Sequence, residues 1–375
     1  MLASLSDKPI YRHMTAYLDA NATEPPREAA LAALLDAARL TGNPASVHGP
    51  GRAARRALEE ARRDIGGVFE IDADHVVFTS GGTEANALAV HAFGQGRRIL
   101  IGATEHDAIR SAAPHAEIVP VRADGQLCLE ALEQMLSEDS DALVCIMAAN
   151  NETGILHPLP EIKELCRSCN VLLHVDAVQG AGRLPFDLDG ITSAAISGHK
   201  FGGIKGAGAL LLRESGHIEP LLRGGGQERG RRGGTPALPA IVAMAAALKE
   251  AQHQNWESIA SWRDRIDQAA RQAGARIAGQ SIAPRLPNTT SLILDGVSAQ
   301  TQLMALDLAG YAVSAGSACS SGKVTQSHVL AAMGLGEAAG QAVRVSLPWN
   351  VTAAEVDGFI AAYTTMAARL GKRRA

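Results

Sequence analysis

Between Pro25 and about Lys249, short apolar runs alternate with segments of helical periodicity, and this alternation leaves few folds open. The runs His75-Val76-Val77-Phe78, Ile99-Leu100-Ile101, Ala142-Leu143-Val144-Cys145-Ile146 and Val171-Leu172-Leu173 are too short for helices and read as buried strands. Ahead of them, Leu31, Leu34, Leu35 and Ala38 fall on one helical face that stops at Gly42-Asn43-Pro44. Ala54, Leu58, Ala61 and Ile65 mark a second helix, with arginines and glutamates on its outer side. Strands separated by helices make βαβ units, so the expected class is α/β, a mostly parallel sheet flanked by helices.

Beyond Trp256 the texture changes. A helix through Ile259, Trp262, Ile266 and Ala269 leads to a loop between Pro284 and Pro287. Strand-like Ser291-Leu292-Ile293-Leu294, a helix near Leu303 to Leu308 and a last helix through Val356, Ile360, Tyr363 and Leu370 follow. We read this part as a smaller α+β domain. At 375 residues the chain exceeds what one hydrophobic core serves. The expected division is a large domain over 16–255 and a small one made of 1–15 and 256–375.

The net charge of −4 argues against a nucleic-acid backbone as the main partner, because phosphate binding needs a basic face. No apolar run reaches the roughly 18 residues of a membrane span, and Met1 to Pro9 lacks an apolar signal core. Five cysteines, odd in number and thinly spread, suit a reducing cytoplasm. Cys166 and Cys169 form a CxxC, yet no second pair lies at ligand spacing. With Ile162 and Leu165 they share one helical face, so they read as core, and no metal site is expected. Cys128 and Cys145 sit in apolar-patterned segments and read the same way.

The chemistry centres on Ser197-Gly198-His199-Lys200 and the glycine-rich run behind it. A lysine among small residues, followed by strand-like Ala209-Leu210-Leu211-Leu212, suits a Schiff base to pyridoxal phosphate. Such an enzyme also needs a carboxylate for the pyridinium nitrogen. Asp176 supplies one at the end of the strand through His174, where open α/β sheets bind ligands. Three other polar turns follow predicted strands. Ser80-Gly81-Gly82-Thr83 opens a helix and is either a turn with an N-cap threonine or a phosphate cradle. His106, after Ile101, is either structural or placed to stack on a flat ring and move protons. Asn150-Asn151 is either a plain turn or, through Asn151, a hydrogen-bonding partner for a phenolic oxygen. Four such turns on one side of a parallel sheet describe a pocket. Cys319, in the small-residue loop from Ser314 to Lys323, has the setting of an accessible nucleophile, the alternative being an incidental surface thiol. Arg344, alone in the strand Ala342 to Ser346, points either to solvent or inward, where its fork matches a carboxylate.

Together these segments resemble the cysteine desulfurases, specifically the NifS/IscS-like group of the class V aminotransferase family, among fold-type I pyridoxal phosphate enzymes. The resemblance spans nearly the whole chain, from Tyr17-Leu18-Asp19-Ala20-Asn21-Ala22-Thr23, through Gly42 to His48, to the closing helix. Its most specific parts are Ser197 to Lys200, the run Gly224 to Gly230 ending in Gly234-Thr235, and Gly316-Ser317-Ala318-Cys319.

The resemblance implies that Lys200 carries the cofactor and removes the substrate α-proton. It implies that Asp176 pairs with the pyridinium nitrogen, that Gln179 and Asn151 bond the phenolic oxygen, and that His106 stacks on the ring. Gly82, Thr83, Ser197 and His199 would hold the phosphate, with Thr235 added from a neighbouring subunit of a homodimer. Arg344, with Asn151 nearby, would hold the carboxylate of L-cysteine. Cys319 would take its sulfur as a persulfide, leaving alanine, for delivery to an iron–sulfur scaffold or a sulfur carrier. A selenocysteine lyase or aminotransferase of the same fold, or a non-catalytic scaffold homologue, are the competing readings. Leu347-Pro348-Trp349-Asn350 departs from the family pattern and is expected to reshape the substrate rim.

Overall fold

The computed structural model describes residues 16–137, 141–279, 283–316 and 326–371. Twelve strands are found among them: β1 Ala16–Tyr17, β2 Val76–Thr79, β3 Arg98–Gly102, β4 Glu117–Val119, β5 Ala142–Met147, β6 Leu172–Asp176, β7 Ser193–Ser197, β8 Gly208–Leu212, β9 Arg276–Ile277, β10 Thr289–Ile293, β11 Tyr311–Ala312 and β12 Ala342–Ser346. Seven form one sheet in the order β2-β8-β7-β6-β5-β3-β4. β3 to β7 run parallel, and β8 lies antiparallel between β7 and β2. β2 therefore points the same way as β3 to β7, and six strands present their carboxyl ends on one side. The expected α/β class with a mostly parallel sheet is what the chain adopts.

Both faces of this sheet are covered, which explains why its strands read as unbroken apolar runs. In β5, Val144 and Ile146 enter the main core while Leu143 and Cys145 enter a second cluster with Val90 and Ile109. The main core is shared with the helices Gly49–Val68 and Leu238–Ala251, and the other face is covered by the helix Gly82–Phe93. Ala54, Leu58, Ala61 and Ile65 are buried as their spacing predicts.

The helix Glu28–Ala38 differs from its expected face. Ala30 and Ala37 are its buried residues and Leu35 is 59% exposed. The helix lies on Leu238–Ala251, itself alanine-rich, and small side chains are what let two helices approach closely there.

The C-terminal part builds an antiparallel sheet β12-β10-β9. Its cluster joins Ile266, Leu292, Val343, Phe359 and Tyr363. Ala16 and Leu18 belong to this cluster, and β1 pairs with β11. Among the described residues no helix is long and apolar enough to cross a membrane.

Candidate active site

The polar turns at the carboxyl ends of β2, β3, β5, β6 and β7 converge on one cavity of about 480 Å³, within the range of small-molecule sites. Ten sequence-predicted residues line it together: Gly82, Thr83, His106, Asn151, Asp176, Gln179, Ser197, His199, Lys200 and Arg344. Thr235 is exposed and does not line the cavity of its own chain. Cys319 lies outside the described residues, but Ser314 and Gly316 before it and His328 after it line the cavity.

Lys200 closes a short 3-10 turn, Gly198–Lys200, directly after β7, and is half-buried rather than a free loop lysine. Its Nζ donates to the carbonyl oxygens of Asn21, at 2.6 Å, and Ala22, at 3.1 Å. Asp176 ends β6 on the face that carries His174, because side chains alternate along a strand. It accepts from the Val178 N–H at 3.0 Å and from Asn86 Nδ2 at 2.8 Å. Burial pushes its carboxyl above the ordinary value, opposed by the Val178 bond, His106, Asn86 and Lys200.

The turn before the helix Gly82–Phe93 is not closed by Thr83. Gly81 is the N-cap and supplies no side-chain cap, and Gly82 and Thr83 of the first turn line the cavity beside Ser197 and His199. A Cβ on Gly82 would lie 2.6 Å from Val178 Cγ2 and 3.3 Å from Ser197 Cβ. Only glycine lets the backbone close on these side chains. Open amides at a helix N-terminus make an anion site. Burial, with Lys200, Lys205 and Arg183, lowers the pKa of His199 to about 4, so its ring is neutral and its Nδ1 lies 3.2 Å from Thr23 Oγ1.

The paired asparagines divide the work. Asn150 Oδ1 accepts from the N–H groups of Glu152 and Thr153 at 2.9 and 3.0 Å and so builds the turn. Asn151 lines the cavity. His106 Nδ1 accepts from the Ala108 N–H at 3.1 Å, which fixes the ring at the start of Asp107–Arg110. Arg344 points inward and is 6% exposed. Its Nη2 donates to Asp19 Oδ1 at 2.6 Å and its Nη1 to the Asn151 carbonyl at 3.2 Å, while buried Nε has no partner among the described residues. Its backbone pairs with Ser314, the start of the Cys319 segment.

Several residues of the site are not evident from the sequence. The loop Asp19 to Ala22 threads the cavity, and the Asn21 carbonyl accepts from both Lys200 and Gln179 Nε2. Gln179 Oε1 accepts from Arg183 at 2.6 Å, and Arg183 pairs with Glu24 at 2.7 Å in a bridge 0% and 1% exposed. That bridge fixes which end of the Gln179 amide donates. Trp349 does not line the cavity, contrary to the expected reshaped rim. Its N–H donates to Glu24 Oε1 at 2.7 Å, its indole donates to the Pro25 carbonyl, and Arg27 stacks on its ring. Trp349 thus holds the N-terminal loop in place. The sequence signals for this set are the segment Tyr17 to Thr23 that carries the resemblance and the departure at Leu347 to Asn350, neither of which shows that the two meet.

Cys166 is 1% exposed in the main core, where burial pushes its thiol up to about 12, and Cys169 packs against the same cluster. The pair is packing, as its helical spacing predicts.

The aminotransferase class-V family model matches residues 16–359. A cysteine desulfurase of Cereibacter sphaeroides is 41% identical over 91% of this chain and 92% of its own length. An IscS-like cysteine desulfurase of Mycobacterium tuberculosis is 37% identical over 91% and 93%. Among solved structures, a NifS-like protein from Rickettsia africae superposes with a TM-score of 0.87 at 32% identity, covering 94% of this chain and 99% of that one. The chain belongs to the aminotransferase class-V family, in its group of NifS- and IscS-like cysteine desulfurases.

Proposed function

We propose that this protein is a pyridoxal phosphate-dependent cysteine desulfurase that converts L-cysteine to L-alanine and passes the sulfur to Cys319. One observation carries the reading: Lys200 and Asp176 face one cavity whose rim is formed by the two ends of the segment that holds Cys319. The donor set fits the cofactor. The uncapped helix N-terminus with Thr83, Ser197 and His199 suits its phosphate, buried Asp176 suits a protonated ring nitrogen, and Gln179 and Asn151 suit its phenolic oxygen. When bound, pyridoxal phosphate supplies a carbonyl carbon for the substrate amine and an electron sink for Cα.

The chain's own residues do the rest. Arg344 and Asn151 seat the substrate carboxylate, with the Arg344 guanidinium shared between it and Asp19. Lys200 takes the Cα proton. Cys319, as thiolate, attacks the substrate sulfur; the new S–S bond forms as the Cβ–S bond breaks, and a proton completes the alanine methyl group. The balance is L-cysteine plus a thiol giving L-alanine plus a persulfide.

Thr235, exposed on its own chain, completes a phosphate site on a second copy, so the working unit is a homodimer. The sulfur then passes to an acceptor protein, an iron–sulfur scaffold or a sulfur carrier, in a reducing cytoplasm that suits four free cysteines among the described residues. Cys319→Ala tests the reaction. Sulfide release from L-cysteine in the presence of a thiol reductant is expected to collapse in this variant. Unchanged release would mean that the thiol is incidental and would favour another enzyme of the same fold.

A further inference from the structure

Behind Asp176 the sheet buries three polar side chains that the reaction above does not use. Val175 and Leu173 enter the main core, so His174 and Asp176 occupy the opposite face of β6, under the helix Gly82–Phe93. In β7, Ala194 and Ile196 likewise enter the main core, which places Ser193 on the same face as His174, its register partner. Asn86 comes down from the helix, where its neighbours Ala85, Leu88 and Ala89 are apolar core. Ser193 and His174 are 0% exposed and Asn86 is 1% exposed. Polar groups sealed this deeply persist when their hydrogen bonds are made, and here each is made. Ser193 Oγ lies 2.9 Å from His174 Nδ1, His174 Nε2 lies 2.9 Å from Asn86 Oδ1, and Asn86 Nδ2 donates to Asp176 Oδ2 at 2.8 Å.

We propose that Ser193, His174 and Asn86 form a directional relay that holds Asp176 as a carboxylate, with the tautomer of His174 tied to the protonation of Asp176. The direction follows from donor counting. Asp176 Oδ1 takes the fixed Val178 N–H, so the relay ends at Oδ2. If Asp176 is ionised, the Asn86 amide must donate to it. Asn86 Oδ1 then accepts, His174 carries its proton on Nε2, and Ser193 donates to Nδ1. If Asp176 were instead to donate a proton from Oδ2 to Asn86, every bond would reverse and the His174 proton would sit on Nδ1. No mixed arrangement keeps all three bonds.

Burial lowers the pKa of His174 to about 4, so the ring stays neutral and its two tautomers are the relevant states. The ionisable groups near the relay are His106 and Lys200 across the cavity, and Glu105 and Cys145 toward β5, whose carboxyl and thiol burial pushes up. The positive Lys200 favours the ionised arrangement, and donors aimed at a carboxylate stabilise its charged form.

The role as a support for cofactor binding rests on the proposed function; the direction of the relay does not. The test is ring-nitrogen NMR of the full chain labelled with 15N-histidine, with and without pyridoxal phosphate, alongside the dissociation constant of that cofactor. His174 is expected to be protonated on Nε2 and bare on Nδ1 near neutral pH. Ser193→Ala, a small change, is expected to leave that proton on Nε2, because the direction is set from Asp176 through Asn86, whereas Asn86→Leu is expected to move it to Nδ1, facing Ser193 Oγ. Asn86→Leu is expected to weaken cofactor binding by about tenfold or more, as loss of a bond to a charged group does. A proton on Nδ1 or an imidazolium in the wild-type chain, or a tautomer unmoved by Asn86→Leu, overturns the relay. A wild-type chain that binds no pyridoxal phosphate overturns the proposed function, while the tautomer still decides the relay. If Asn86→Leu fails to fold, the wild-type tautomer carries the decision.

Discussion

His157 is wholly buried; its Nδ1 accepts the Leu127 N–H at 3.1 Å and its Nε2 lies 3.3 Å from Thr104 Oγ1, the residue two before His106. Burial lowers its pKa to about 4, against about 6.5 for a free histidine. Between those values the unfolded chain binds more protons than the folded one. The stability linked to this ring is therefore full above about pH 6.5 and is lost as pH falls toward 4, by about 1.4 kcal/mol per unit. His157→Gln is expected to lack that slope, so that the difference between wild-type and variant unfolding free energies changes with pH, measured by denaturant titration from about pH 4.5 to 6. Parallel curves would show that His157 protonates in place. At this scale the sequence was legible where a polar residue follows an apolar strand, as at Asp176, His106 and Asn151, and at Lys200 through its glycine-rich setting. It was silent where polar side chains from separate elements satisfy one another inside, as His174, Asn86 and Ser193 do, because nothing in the spacing reveals that they meet.

The helix Gly49–Val68 shows its buried face in its sequence but hides its main tether. Its arginines are expected outside, yet Arg62 is 4% exposed. It forms a two-pronged bridge to Glu228, at 2.6 and 2.8 Å, donates to the Val76 carbonyl and lies over the Phe78 ring. Glu228 also accepts the Phe78 N–H at 2.9 Å. These bonds fasten the turn Gln227–Gly230, in which Glu228 and Arg229 both have positive φ, to the edge strand β2. Removing one partner leaves a buried charge unpaired, so Arg62→Ala is expected to cost about 3–5 kcal/mol. Arg229→Ala, which breaks an exposed pair with Asp74, should cost about 1 kcal/mol or less. Chemical denaturation of both variants checks the contrast, and equal losses would contradict it. Strands were legible where both faces are apolar. β7 and β4 escaped because Ser-Ala-Ala-Ile-Ser and Glu-Ile-Val carry too little apolar bulk to stand out.

In the whole molecule, the cavity sits where the carboxyl ends of the large sheet meet the N-terminal loop and β12. Asp19 and Arg344 are 325 positions apart yet share a hydrogen bond, a closeness no local pattern encodes. We propose two domains divided near residue 255. The packing of Ala16 and Leu18 in the C-terminal cluster favours moving the first strand, expected in the large domain over 16–255, to the smaller one. Such a junction would place Lys200, on the large sheet, opposite the segment bearing Cys319. The most direct measurement of that juxtaposition is one incubation of the full chain, loaded with pyridoxal phosphate, with L-cysteine in the absence of reductant. Alanine is counted and the sulfur located by peptide mass spectrometry. The expected result is alanine matched by transferred sulfur, the first of it as one added sulfur atom on Cys319. Alanine formed with Cys319 unmodified, or an oxo acid in place of alanine, would contradict it.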